Sequence, residues 1–156
     1  MTIALSATSS ASRPRGLAPA VPRAAFLFVI AAAAVAGALA TGAETSARAV
    51  ADSGDDLTRL LRAMALIKAL IAAGAAAAVL WRLAAPTAPA WFARYALTGA
   101  LMAAGPGLIW GMAHVALGAV LLHAGLAATI VLLWRDPAVG RRLAEMVAER
   151  RARRGG

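Results

Sequence analysis

Cysteine is missing from this chain, and only seven of its 156 residues are acidic. The first absence excludes disulfides, thiolate metal sites and cysteine-ligated iron–sulfur clusters. The second matters through position, because no Asp or Glu falls within any of the long apolar stretches. No nucleophile–base pair and no multi-ligand metal motif can be read anywhere, so neither an enzyme nor a cofactor or metal protein is expected. There is also no room for an independent soluble domain beside the apolar segments.

Apolar sequence fills the space left by these absences. Hydrophobic residues make up 62 % of the chain and the mean hydropathy is +0.74, far above a soluble domain. Four stretches are apolar enough to enter a bilayer: Ala24–Thr41, Ala63–Trp81, Ala90–Ala104 and Leu108–Trp134. About 20 such residues cross the roughly 30 Å hydrocarbon layer. The expected fold is all-α: a small polytopic membrane protein with four transmembrane helices and a basic amphipathic C-terminal helix. Residues 23–135 would form the membrane domain, flanked by a disordered tail at 1–22 and a basic tail at 136–156.

Charge sets the orientation. The net charge of +9 would suggest nucleic acid in a soluble chain, but here the basic residues gather at one end of the apolar spans. Arg13, Arg15 and Arg23 precede the first span, and Arg82 and Arg94 flank the second connection. Arg135, Arg141, Arg142, Arg150, Arg151, Arg153 and Arg154 follow the fourth. Only Arg48, Arg59 and Arg62 fall on the other side, diluted by Glu44, Asp52, Asp55 and Asp56. Both termini are therefore expected in the cytoplasm. Trp81, Trp91, Tyr95 and Trp134 fall at the same ends, where amphipathic rings prefer the headgroup level, and Trp110 falls opposite. Ala- and Arg-rich, Lys-poor usage is associated with GC-rich bacterial genomes, so a bacterial inner membrane is the expected location.

The first span has two readings. Ala38-Leu39-Ala40 has the small-x-small form of a signal-peptidase site, which would leave three spans after cleavage. An uncleaved anchor is equally compatible with the apolar run. Beyond it, Gly42–Gly54 is small and polar, and Ser53-Gly54-Asp55-Asp56 resembles a helix start. Asp55 and Arg59 have the spacing of an i, i+4 ion pair. Pro86 and Pro89 break the chain before the third span. Asp136-Pro137 should cap a last helix, whose Val139, Leu143, Met146 and Val147 form one apolar face suited to an anionic leaflet.

The turn between spans three and four could lie at Gly105-Pro106-Gly107 or at Gly111–Gly118. The first is preferred, because Gly111, Gly118 and Gly125 recur every seven residues, as on one unbroken helix. Small residues so spaced let backbones approach closely in a membrane. The cost is a third span short for a full crossing.

Three polar residues stand out within the spans. Lys68 lies 13 residues before Trp81, about 20 Å from the cytoplasmic interface. It shares a stripe with Ala65, Ala72 and Ala75, while Leu66 and Leu70 point away. Such a charge is either snorkelling to the outer headgroups or meeting a counterion from a partner, a lipid or a bound anion. His123 and His114 fall about 16 Å and 30 Å from the same interface. Nine residues apart on one helix, they face opposite ways, so one haem or metal cannot take both. Lys68 and His123 are at similar depth and would form one polar pocket if their helices were adjacent.

The run Leu60-Leu61 to Lys68, followed by Arg82 and Pro86, resembles one helix of the copper-resistance D family of membrane proteins. The following helix has no matching acidic residue, and the likeness carries no function over. The sequence thus points to an accessory or assembly subunit that packs against other membrane proteins or itself. The alternative is a small transport or binding protein placing Lys68 and His123 on an anionic or quinone-like ligand. No nucleic-acid partner is expected.

Overall fold

The computed structural model describes residues 20–154, and the tail predicted at 1–22 lies almost wholly outside them. Every element of the described chain is an α-helix. Its elements are α1 (Ala20–Leu39), α2 (Ala43–Arg82), α3 (Pro89–Trp110), α4 (Val115–Arg135) and α5 (Pro137–Arg154). Three of them, α1, α2 and α4, are long and apolar enough to cross a membrane, which makes this a multi-pass membrane protein.

Helix α3 is the centre of the bundle. It packs along α4 on one side and α1 on the other, with α2 laid against both α3 and α4. Helices α1 and α2 scarcely touch. Glycine makes α3 central. A methyl group placed on Gly105 would lie 2.6 Å from the Gly118 carbonyl oxygen, and one on Gly107 would lie 2.7 Å from Ala38 N. On α1, Gly37 sits against the Ala104 backbone in the same way. Without a hydrophobic drive between helices in lipid, such close backbone approach is a main source of association. Phe26, Val79, Tyr95, Met102 and Leu122 fill the remaining core.

The connection between α3 and α4 differs from the expectation. Helix α3 runs through Pro106 to Trp110, and the turn falls between Gly111 and His114. The continuous helix over Leu108–Trp134 is therefore not formed. Gly105 and Gly107 serve as helix contacts rather than as a turn. A Pro inside a membrane helix costs one hydrogen bond that neighbours and local adjustment can offset. At 22 residues α3 is about 33 Å long at 1.5 Å per residue, longer than the apolar stretch read for it, though it is not among the helices apolar enough to cross a membrane. Met112 makes the turn with φ 64°, left-handed for a non-glycine residue.

Upstream, Gly42–Gly54 is not a loop. Ala43–Ser53 is helical and breaks from the apolar part of α2 at Gly54, whose φ of 75° and ψ of 167° interrupt the helix. Alanine at four of these positions explains the helix. The expected Asp55–Arg59 pair is replaced by Glu44–Arg48 at 3.8 Å. Both sets are exposed, where such pairs are worth about 0–1 kcal/mol and geometry is weakly specified.

Candidate functional site

The polar side chains that the fold brings together lie at one end of the bundle, where α2 stops, α3 starts and α4 hands over to α5. Arg82, in the last turn of α2, is 3 % exposed, and Asp136, between α4 and α5, is equally buried. Arg82 Nε donates to Asp136 Oδ2 at 2.5 Å, and Nη2 reaches Oδ1 at 3.4 Å. The Tyr95 hydroxyl, from the second turn of α3, donates to Asp136 Oδ2 at 3.0 Å. Asp136 Oδ1 also accepts the Ala138 N–H at 2.9 Å, which is the predicted N-cap of α5. Thr87, in the α2–α3 loop, accepts from Arg82 Nη1 at 3.1 Å and donates to the Ala85 carbonyl.

Every oxygen of the carboxylate is thus occupied by donors from the chain itself. A buried ion pair tolerates its desolvation only with such complete hydrogen bonding. The arrangement leaves no open position for a substrate or metal at Asp136. It acts as a clasp that holds four segments together, and it has no free group to transfer a proton. Sequence reasoning assigned Arg82 to topology, Tyr95 to the headgroup belt and Asp136 to a cap. Its one available signal was an acid placed directly after a span, among many arginines. The partners are 54 and 41 residues away from Asp136, beyond any local pattern.

Two more arginines close the end of α2. Arg142 of α5 donates to the Trp81 carbonyl at 2.7 Å and lies over the Trp81 ring. Arg23 of α1 donates to the adjacent Leu80 carbonyl at 3.2 Å. These carbonyls belong to the negative end of the helix dipole, where cations are favoured.

The residues singled out from sequence are scattered by the fold. Lys68 is half-buried on α2, at the edge of the face formed by Ala65, Ala72 and Ala76. Among the described residues it has no acidic partner. His123 is exposed, and its Nδ1 pairs with the Ala119 carbonyl of its own helix at 2.6 Å. His114 is exposed at the N-cap of α4. Among the described residues no three of His, Cys, Asp and Glu gather into a metal-binding group.

The glycines fare differently. Gly118 and Gly125 are buried against α3: Gly118 against the Gly105 carbonyl, Gly125 against Met102 N and Thr98 O. Gly111 is also buried, but it ends α3 and packs on the Thr41 side chain instead of continuing the α4 stripe. The glycine face is therefore used within the chain.

No family model matches this chain, and no curated protein or solved structure does so either.

Proposed function

We propose that this chain is a four-span accessory or assembly subunit of a bacterial inner membrane, with both termini cytoplasmic and α1 retained as an anchor. The length of α3 supports the fourth span, and the seating of Gly37 on Ala104 supports α1 as a working part of the bundle. The strongly one-sided arginine distribution supports the orientation. A cysteine placed at exposed Asp52 should react with an impermeant maleimide in intact spheroplasts, while one at exposed Ala88 should not. Labelling at Ala88 alone would reverse the orientation.

One observation carries the partner reading. Lys68 is a half-buried cation in the apolar part of α2 with no acid to meet among the described residues; the buried acid of the bundle, Asp136, is held by Arg82 at the far end of the helix, about 20 Å away along α2. A charge at such depth costs about 3 kcal/mol or more on insertion scales. Around it Met64, Ile67 and Ile71 are exposed at 41 %, 59 % and 50 %, an apolar surface for another helix. A carboxylate on a partner helix would offset that cost. A ligand pocket shared with His123 draws no support from this arrangement, since that ring pairs with its own helix and faces outward.

Lys68→Met should lower the amount of partner retained in mild detergent by about tenfold or more, the usual effect of breaking a desolvated charge pair. Insertion should be intact or improved, and Lys68→Arg should keep the complex. A Met variant that holds every partner at wild-type stoichiometry would refute the reading.

A further inference from the structure

Between α1 and α2 lies a slot floored by α3. At one end it is bridged by the Arg23–Leu80 hydrogen bond. Its volume is about 420 Å³ and all its lining residues are apolar, among them Leu27, Ala34, Ala73 and Met102. That volume falls within the range of about 300–1,000 Å³ typical of small-molecule sites. The lining of α1 extends from Leu27 to Ala34, a length of about 10 Å. A single polymethylene chain can lie along that length between the two helices.

Charge indicates what the chain is attached to. Leu27, Ile30, Ala31 and Ala34 share one face of α1, and Arg23, one turn before Leu27, continues that face to the mouth of the slot. Only one of its guanidinium nitrogens is engaged, on the Leu80 carbonyl, and no carboxylate lies within ion-pair distance of it among the described residues. Arg142, on the next carbonyl of the same helix end, adds a second positive charge. Lys68 is set about 90° round α2 from the slot-lining alanines and is not aligned with it.

We infer that the slot holds one acyl chain of an anionic phospholipid, with its phosphate at the Arg23 guanidinium. The leaflet follows from the orientation proposed above and would be the cytoplasmic one, but the chain-binding itself depends on neither orientation nor partner.

The test uses the purified full-length protein, stripped of lipid in detergent and offered equal amounts of phosphatidylglycerol and phosphatidylethanolamine. Native mass spectrometry then counts bound lipid. The wild type should retain one lipid and prefer phosphatidylglycerol about fivefold, the factor one interfacial arginine contributes. Arg23→Gln should still bind lipid but with a clearly diminished preference. Ala34→Phe and Ala73→Phe, both directed into open space in the slot, should each reduce binding at least about tenfold by filling it, with thermal midpoints unchanged. Ala32→Phe, exposed on α1 outside the lining, should bind as wild type does. Wild-type binding in both slot variants would overturn the inference, as would an undiminished phosphatidylglycerol preference in Arg23→Gln. Release of a co-purifying protein with no lipid displaced would assign the slot to a partner segment. These readouts are separate from the Lys68 test, so either proposal can fail alone.

Discussion

Asp136→Ala should destabilise the bundle by about 3–5 kcal/mol, the cost of leaving a buried arginine without its counterion. Three losses coincide at this position. Arg82 would keep only Thr87, the Tyr95 hydroxyl would lose its acceptor, and α5 would lose its cap. The midpoint of unfolding in detergent should fall sharply, and the loop at Ala84–Ala88 should become sensitive to protease. Asp136→Asn separates the components. Its single carbonyl oxygen keeps the cap, while the amide NH2 replaces the oxygen that accepts from Tyr95 and Arg82 Nε and the charge is lost, so the loss should be smaller than for Ala only by the share of the cap. Replacing both partners, with Arg82→Met and Asp136→Leu together, should cost less than Asp136→Ala alone, because no uncompensated charge remains buried. A double variant as unstable as the sum of its parts would show that Arg82 and Asp136 act independently. The clasp would then not exist as a unit.

Gly125→Leu is the second large effect. A methyl group there would sit 2.6 Å from Met102 N and 2.8 Å from Thr98 O, both backbone atoms of α3 that cannot rotate aside. The helices would have to separate along their closest contact. The loss should reach or exceed the upper end of the usual overpacking range of about 1–3 kcal/mol. Gly118→Leu should behave alike, since its neighbour is the Gly105 carbonyl oxygen. Ala127 is exposed on the other side of α4, and Ala127→Leu should be tolerated. Thermal unfolding of the isolated protein is the right measurement, because the contact is within one chain. Equal effects at all three positions would deny the glycines any directional role.

The glycine result also changes what remains for partners. A repeat such as Gly118 and Gly125 signals that some backbone comes close, but not whose. Here α3 of the same chain takes the place. The outer surface is then one of exposed Leu, Ile and Val on α2 and α4, together with the edge that carries Lys68.

Hydropathy and charge alone were enough for the membrane class and for most of the apolar helices. Both follow from local composition: a backbone in hydrocarbon must bond to itself, so a long apolar run has to become a helix. The cap at Asp136 was legible for the same reason, since its Ala138 partner is two residues away. The α3–α4 turn was not. Gly105-Pro106-Gly107 has all the local chemistry of a turn, and it stays helical because neighbouring backbones press on both glycines. Nor could Arg82, Tyr95 and Asp136 be grouped, because their pairing depends on how α2, α3 and α4 end beside one another. Composition and period decide which segments enter the membrane; which side chains meet there is set by long-range packing, and no spacing along the chain encodes it.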